Sequence, residues 1–524
     1  MIRREAFVFG CVWFVMILLL VSGIRGLPGN PGIDELNTAS WTGTGPFESS
    51  NDRGRFALTY SLLEDHSLSF SIPVAAFAAP DLAVTADGRY VSLFAPGVSF
   101  MLIPGYYIGR LFHYSQVGAF VVVSLVAFVN AVLLYLIARR IGVGRIASLI
   151  GSFAFLFATP AFTYAVSVSQ HHFAVFFIFA SIYALLKWDD WKALLLVWFL
   201  CAWSVAVDNP NLFLLFPIGL LALVRIVRTR ISSDRIRITL KPLRVFTILI
   251  MIVPLVFFGW YNSNANGSAF QLAGTLRRAL SVSQYQSESE QRELETLVAM
   301  HEEGTGDSGT DSPSTVGFFK TRNLYNGFFV HFLSPDRGIL YFTPVVLFGI
   351  AGLVILSRKR RELANTLIAV VGVNILLYSM WGDPWGGWSF GSRYLVPTYA
   401  VLCLAATVAV EQWRKNRIFM LVFLLIFGYS LWINVLGALG TNAIPPQAEV
   451  LALEQLTGHE EKYTYQRSWD YLVVNGSKSL VYQTIAKQEI TGIQYYLIVG
   501  SIGMVAATLL VVGLHFSSRA KDTV

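Results

Sequence analysis

The sequence predicts an all-α polytopic membrane protein, and three observations predict it. Of its 524 residues, 55% are hydrophobic and only 14% are charged, where soluble domains carry about 25% charged residues. Apolar runs of membrane-spanning length recur along the chain. Basic residues collect in the short connections on one side of those runs. The first two observations exclude an ordinary soluble enzyme and a disordered chain. The third explains the net charge of +7 as topology rather than as a nucleic-acid surface.

A helical span needs roughly 20 mostly apolar residues. About twelve are predicted, at 6–24, 116–138, 146–165, 171–187, 193–207, 209–226, 244–261, 338–356, 363–380, 394–410, 417–436 and 494–515. The first follows Arg3 and Arg4 as a signal peptide would. Its apolar run is long and no small-x-small cleavage site follows, so it is predicted to stay as an anchor. With both termini in the cytoplasm, the short inner connections hold 23 of the 39 basic residues and a net charge of +16, leaving −9 outside. This is the asymmetry of the positive-inside rule. The same count settles the apolar segment 92–112. Taken as a span, it would put the basic cluster Arg225–Arg244 outside. It is predicted instead as a helix in the outer interface, starting at Pro96-Gly97 and broken at Pro104-Gly105.

The chain then divides into an anchor (1–24), a first outer loop with interfacial helices (25–115), a transmembrane bundle (116–261), a second outer loop (262–337), a second bundle (338–436), a third outer loop (437–493) and a last span with a cytoplasmic tail (494–524). The stretch 304–315, rich in Gly, Ser and Asp, reads as flexible. No internal repeat is visible. Cys11, Cys201 and Cys403 lie in apolar runs and make neither a disulfide framework nor a zinc cluster.

The predicted spans hold no Asp, Glu, Lys or Arg at mid-depth, where ion-coupled transporters keep such groups. The polar residues collect outside, as they would in an enzyme working at the outer membrane surface. Four clusters stand out there. In the first loop, Asp34, Glu35 and Asp52 offer carboxylates for general base or metal-ligand work, and a solvated acidic loop accounts for any one of them equally well. Asp52 opens an amphipathic run in which Phe56, Leu58, Tyr60, Leu62 and Leu63 fall at helical spacing, so it also suits a helix cap. Asp87–Gly97 (DGRYVSLFAPG) combines a turn, Arg89, Tyr90 and a helix start whose free N–H groups can face a phosphate; a plain turn before an amphipathic helix fits as well. His171 and His172 end a span. They point apart on a helix, which suits interfacial anchoring better than a metal. The densest cluster is Met380–Tyr399, with Trp381, Asp383, Trp385, Trp388, Arg393 and Tyr394 among four glycines in the loop. Aromatic faces stack on sugars, and a guanidinium fork suits phosphate. An interfacial aromatic belt does not require Asp383 and Arg393, so a functional loop is the preferred reading.

These residues together carry a resemblance. Asp52 with Phe56 and Leu62, the Asp87–Gly97 segment, Phe332–Gly349 (FLSPDRGILYFTPVVLFG) and Trp381–Pro397 (WGDPWGGWSFGSRYLVP) resemble motifs of the GT-C membrane glycosyltransferases. The likeness is greatest to the protein O-mannosyltransferase and aminoarabinose transferase group. It covers about residues 1–410. It implies a GT-C-like bundle of about 12 transmembrane helices with juxtamembrane helices in the first outer loop. It also implies transfer of a sugar from a polyprenyl-phosphate donor to a hydroxyl of a glycan, lipid or protein acceptor, with inversion, at the outer face of the cell's cytoplasmic membrane. The implied base is a carboxylate, Asp52 by preference, with Asp34 and Glu35 as alternatives. Arg89, Tyr90, Arg337, Arg393 and Tyr394 would bind the lipid phosphate or donor, and Trp385, Trp388 and Asp383 the sugar. A divalent metal is compatible with the resemblance, but no ligand set stands out. The chain departs from the family in two places. Asp52 is followed by Arg53 rather than by an acid, and Phe94-Ala95 stands where many members carry a Lys before Pro-Gly. A polysaccharide polymerase or ligase using polyprenyl-diphosphate glycans, and a lipid or solute transporter, remain the alternative readings.

Overall fold

The computed structural model describes residues 2–232, 235–279, 281–282 and 319–519. The 304–315 stretch lies outside the described residues. The described residues are mostly helical, and the apolar composition shows why. Among the described residues, six helices are long and apolar enough to cross a membrane: Ser115–Arg140, Pro242–Ala265, Arg361–Ser379, Arg393–Trp413, Arg417–Leu439 and Gly492–His515. Five shorter apolar helices accompany them, at Phe9–Gly23, Arg145–Phe157, His171–Lys187, Trp191–Val207 and Asn211–Ile226. Each of these helices falls on one of the predicted spans. Their burial orders them in space. The most apolar part of Arg393–Trp413 is 89% buried and forms the centre, whereas that of Pro242–Ala265 is 11% buried and lies at the rim.

Two of the predicted spans are broken at a proline, and a third, 244–261, tightens into a 3-10 stretch at Thr247–Met251. The run 146–165 stops at Phe157 and resumes as Ala161–Ala165. The run 338–356 opens as Ile339–Phe342, passes through a tight turn at Pro344–Leu347 and continues as Phe348–Lys359. The cause is proline at 160 and at 344, which lacks the N–H a helix needs and pushes the residue before it out of helical geometry; Thr343 sits at φ −155° and ψ 52°. Irregular backbone at this depth needs partners within the protein. The two breaks supply them to each other, because Thr343 Oγ1 donates to the Ala158 carbonyl at 2.9 Å.

The segment 92–112 also needs a correction. It contains one unbroken helix, Gly97–Leu111, that runs through Pro104. Fifteen residues rise about 22 Å, short of the roughly 30 Å of a bilayer core. The helix lies against Ser115–Arg140, and close backbone approach holds it there. A Cβ on Gly118 would come within 1.9 Å of the Gly105 carbonyl oxygen. Tyr107, Ile108, Leu111 and Phe112 remain exposed on its other side.

The first long loop folds over one end of the bundle. Helix Ser50–Tyr60 buries Phe56 at 4.6 Å from Phe47, with Phe77 and Tyr106 around the pair. A small antiparallel sheet lies beside it, with Leu82–Val84 between Tyr90–Ser92 and Arg277–Ala279. The third long loop holds two helices, Val450–Thr457 and Gln466–Asn475.

Candidate active site

Asp52 stands in the first turn of Ser50–Tyr60, four residues before Phe56 and on the same face. The packing of Phe56 therefore turns Asp52 inward. Asp52 is 3% exposed, and its Oδ2 has no hydrogen-bond partner. Burial raises the carboxyl to about 7, against the lowering pull of Arg25, Arg55 and Arg393, and Glu48 adds to the rise. An unpartnered buried carboxylate is unfavourable for folding alone.

Arg55, three residues on, shares that face. Its guanidinium lies 4.0 Å from the centre of the Phe94 ring, and its Nη1 donates to the Asn51 carbonyl at 2.9 Å. Burial lowers it to about 10, and the carboxylate that most offsets this is Asp208, in the turn after Trp191–Val207. Burial pushes Asp208 up to about 6 while Arg55, Gln170 and Arg393 pull it down. Arg393 comes from the start of the central helix. The Asn51 amide oxygen, oriented as the bonding pattern requires, accepts from both of its terminal nitrogens at 2.7 and 3.2 Å. Its Nε is buried without a partner. Tyr394 stacks on Tyr378 at 4.3 Å and meets the His171 ring edge-on at 6.4 Å. The result is two carboxylates, Asp52 and Asp208, interleaved with two guanidiniums, Arg55 and Arg393, and walled by tyrosines and His171.

The tryptophan-glycine loop is built separately. Asp383 collects three backbone N–H groups, from Trp385 and Gly386 at 3.1 Å and Gly387 at 2.6 Å. Gly386 and Gly387 take φ of 74° and 60°, a left-handed pair that other residues resist. A Cβ on Gly386 would also come within 3.0 Å of Arg393 Nε. Arg337 is fully buried and donates to the carbonyls of Trp385, Asp336, Gly387 and Ile444 at 2.8–3.0 Å. Four of the five donors a guanidinium carries thus bind backbone. Asp383 and Arg337 hold the loop in shape, and Arg337 ties it to the third long loop. Trp385 is half-buried. Trp388 is exposed, and its Nε1 donates to the carboxylate of Glu449 in the third long loop at 2.9 Å.

The other expected residues lie elsewhere. Asp34 and Glu35 form an exposed first turn of the short helix Ile33–Leu36. Asp34 acts on Tyr60, which is eight residues and about 12 Å of helix rise away from Asp52. Arg89 pairs with Asp87 at 2.6 Å and donates to the Asn264 carbonyl at 3.2 Å, on the open side of the small sheet. Tyr90 is half-buried in that sheet, opposite Val84. His172 is buried, with its Nε2 2.7 Å from the Ala161 carbonyl. Neither Arg89 nor Tyr90 hydrogen-bonds to Asp52, Arg55, Asp208 or Arg393 among the described residues. Sequence reasoning missed Asn51, Arg55 and the approach of Asp208. Asp208 is visible in the sequence only as an ionisable residue at a span end, and nothing local marks what it faces. Among the described residues no three of His, Cys, Asp and Glu converge as metal ligands.

No protein-family model matches the chain, and a search of curated proteins finds no significant match. Among solved structures, the chain is similar to ArnT from Cupriavidus metallidurans in the apo state, with 13% identity over 98% of this chain and 78% of that chain and a TM-score of 0.43. The same protein bound to undecaprenyl phosphate gives 14% identity, the same coverage and the same TM-score of 0.43. The apo oligosaccharyltransferase of Archaeoglobus fulgidus gives 13% identity over 94% of this chain and 56% of that chain, with a TM-score of 0.38.

Proposed function

We propose that the chain is a membrane glycosyltransferase of the GT-C kind that moves a sugar from a polyprenyl-phosphate donor to an acceptor hydroxyl. The observation that carries this reading is Asp52, a buried carboxylate with an unpartnered oxygen, in the field of Arg25, Arg55 and Arg393. A carboxylate titrating near 7 is matched to general base work at neutral pH. Asp52 takes the acceptor hydroxyl proton as that oxygen bonds to the anomeric carbon. The bond from that carbon to the phosphate oxygen breaks, and the electron pair leaves with the polyprenyl phosphate. Arg393 and Arg55 stabilise the charge that develops on the leaving phosphate. They are better placed for this than Arg89, which is paired at the sheet edge, or Arg337, which holds backbone. Trp388, and the half-buried Trp385 beside it, offer faces on which a sugar ring stacks.

The test is release of polyprenyl phosphate by the purified chain in nanodiscs, across a panel of polyprenyl-monophosphate sugars. Release with one sugar is expected, with a loss on the order of 10²-fold or more in Asp52→Asn, which is what a positioned base contributes. No release across the panel overturns the reading, and undiminished release by Asp52→Asn overturns the assignment of the base.

A further inference from the structure

A second buried charge cluster lies next to the first. Glu48 accepts from Arg25 Nη1 and from Lys478 Nζ, each at 2.6 Å. It also accepts from the Asn442 N–H at 2.9 Å and from the Thr441 hydroxyl. The three charged side chains are 0%, 4% and 1% exposed for Arg25, Glu48 and Lys478. They come from the end of the first apolar helix, the first long loop and the third long loop. Lys478 also donates to the Gly45 carbonyl at 3.1 Å, and Leu480 N–H donates to the Ile24 carbonyl at 2.8 Å. A buried ion triad is weak evidence for stability, because apolar residues of similar volume often hold a fold as well. What distinguishes this one is its charge. Two cations and one anion leave a surplus of one positive charge, centred on a glutamate four residues before Asp52. Arg25 Nε is buried without a partner, as Asp52 Oδ2 is.

We propose that Arg25, Glu48 and Lys478 are positioning residues that set the charge of Asp52, and that through Lys478 the third long loop is a working part of the site. The inference rests on the reading of Asp52 as the base. The charged groups facing Asp52 are Arg25 from the first helix, Glu48, Arg53 and Arg55 from the first loop, and Arg393 from the central helix. The triad thus contributes one cation and one anion directly to that set, and Lys478 offsets the anion.

Charge arithmetic separates the variants. Lys478→Met cancels the surplus, Glu48→Gln doubles it, and the double variant restores it. Lys478→Arg leaves it unchanged. The readout is the pH midpoint of the Asp52 carboxyl band in infrared difference spectra of the full chain in detergent, with Asp52→Asn as the blank. The midpoint is expected to rise in Lys478→Met, because Glu48 then acts on Asp52 without its cation. It is expected to fall in Glu48→Gln and to return in both Lys478→Arg and the double variant. A staple with no electrostatic role would not restore the midpoint when both partners are removed. Identical midpoints in all four variants overturn the proposal, and so does a double variant that follows Lys478→Met. If Lys478→Met does not fold, Glu48→Gln and the double variant decide it alone. Turnover is measured on the same preparations. The expected midpoint order without any turnover would defeat the transferase reading and leave the coupling standing.

Discussion

Asp52 is a residue whose environment works against the fold. Its carboxyl titrates at about 7 in the folded chain, from an ordinary 3.8. The folded state therefore holds the proton more tightly than the unfolded state does. That contribution to stability is present below about 4 and is lost as pH rises to about 7. About three units at about 1.4 kcal/mol each place the upper bound on the loss at about 4 kcal/mol. Asp52→Asn is accordingly expected to melt higher than the parent chain at about pH 8 and to converge with it near pH 4, as thermal scans in detergent would show. A variant that melts lower at the alkaline end would mean that the ionised carboxylate is well satisfied. The same titration predicts that kcat/KM for the proposed transfer falls below about pH 7 on its acid side. Asp52 was legible in the sequence because its spacing to Phe56 is local. Arg55 lies only three residues away, yet nothing in the string marks it as facing Asp208. Glu48, Arg25 and Lys478 were wholly illegible, since each is an ordinary loop charge until segments more than 400 residues apart meet.

The elements show the same division. Hydropathy located the helices, because burial in lipid demands long apolar runs. It did not show that Pro160 and Pro344 break two of them, because a broken helix in a membrane has the same composition as a whole one. The tryptophan-glycine loop was legible as a dense cluster, but the duties of its residues were not. Asp383 reads as a sugar ligand in the sequence, and in the structure its oxygens hold three backbone N–H groups. Removing that acceptor leaves buried donors unpaired, at about 1–3 kcal/mol. Asp383→Ala is therefore expected to strip hydrogen-exchange protection from the amides of Trp385, Gly386 and Gly387. Because Gly386 lies against Arg393 Nε, proposed turnover should fall with it. Unchanged exchange at those three amides would show that the Asp383 carboxylate does not hold the loop.

For the whole molecule, the basic connections and the site lie at opposite ends. Arg139, Arg140, Arg225, Arg358 and Arg361 gather where the helices Ser115–Arg140, Asn211–Ile226 and Phe348–Lys359 finish and Arg361–Ser379 begins. Asp52, Asp208 and the tryptophan-glycine loop lie at the other end of the same helices. Translocation retains basic connections on the cytoplasmic side, so the end with the carboxylates is expected to face outward, where the proposed donor and acceptor would meet. Cysteine labelling tests this on a Cys11→Ser background, because Cys11 is exposed whereas Cys403 is buried and Cys201 partly so. A membrane-impermeant maleimide applied to intact cells should label Trp388→Cys and spare Arg361→Cys, with both labelled once the membrane is opened. The opposite pattern would place the carboxylates in the cytoplasm. Donor sugars would then reach the site from soluble pools as readily as from lipid, and the case for a polyprenyl-phosphate donor would lose its topological support.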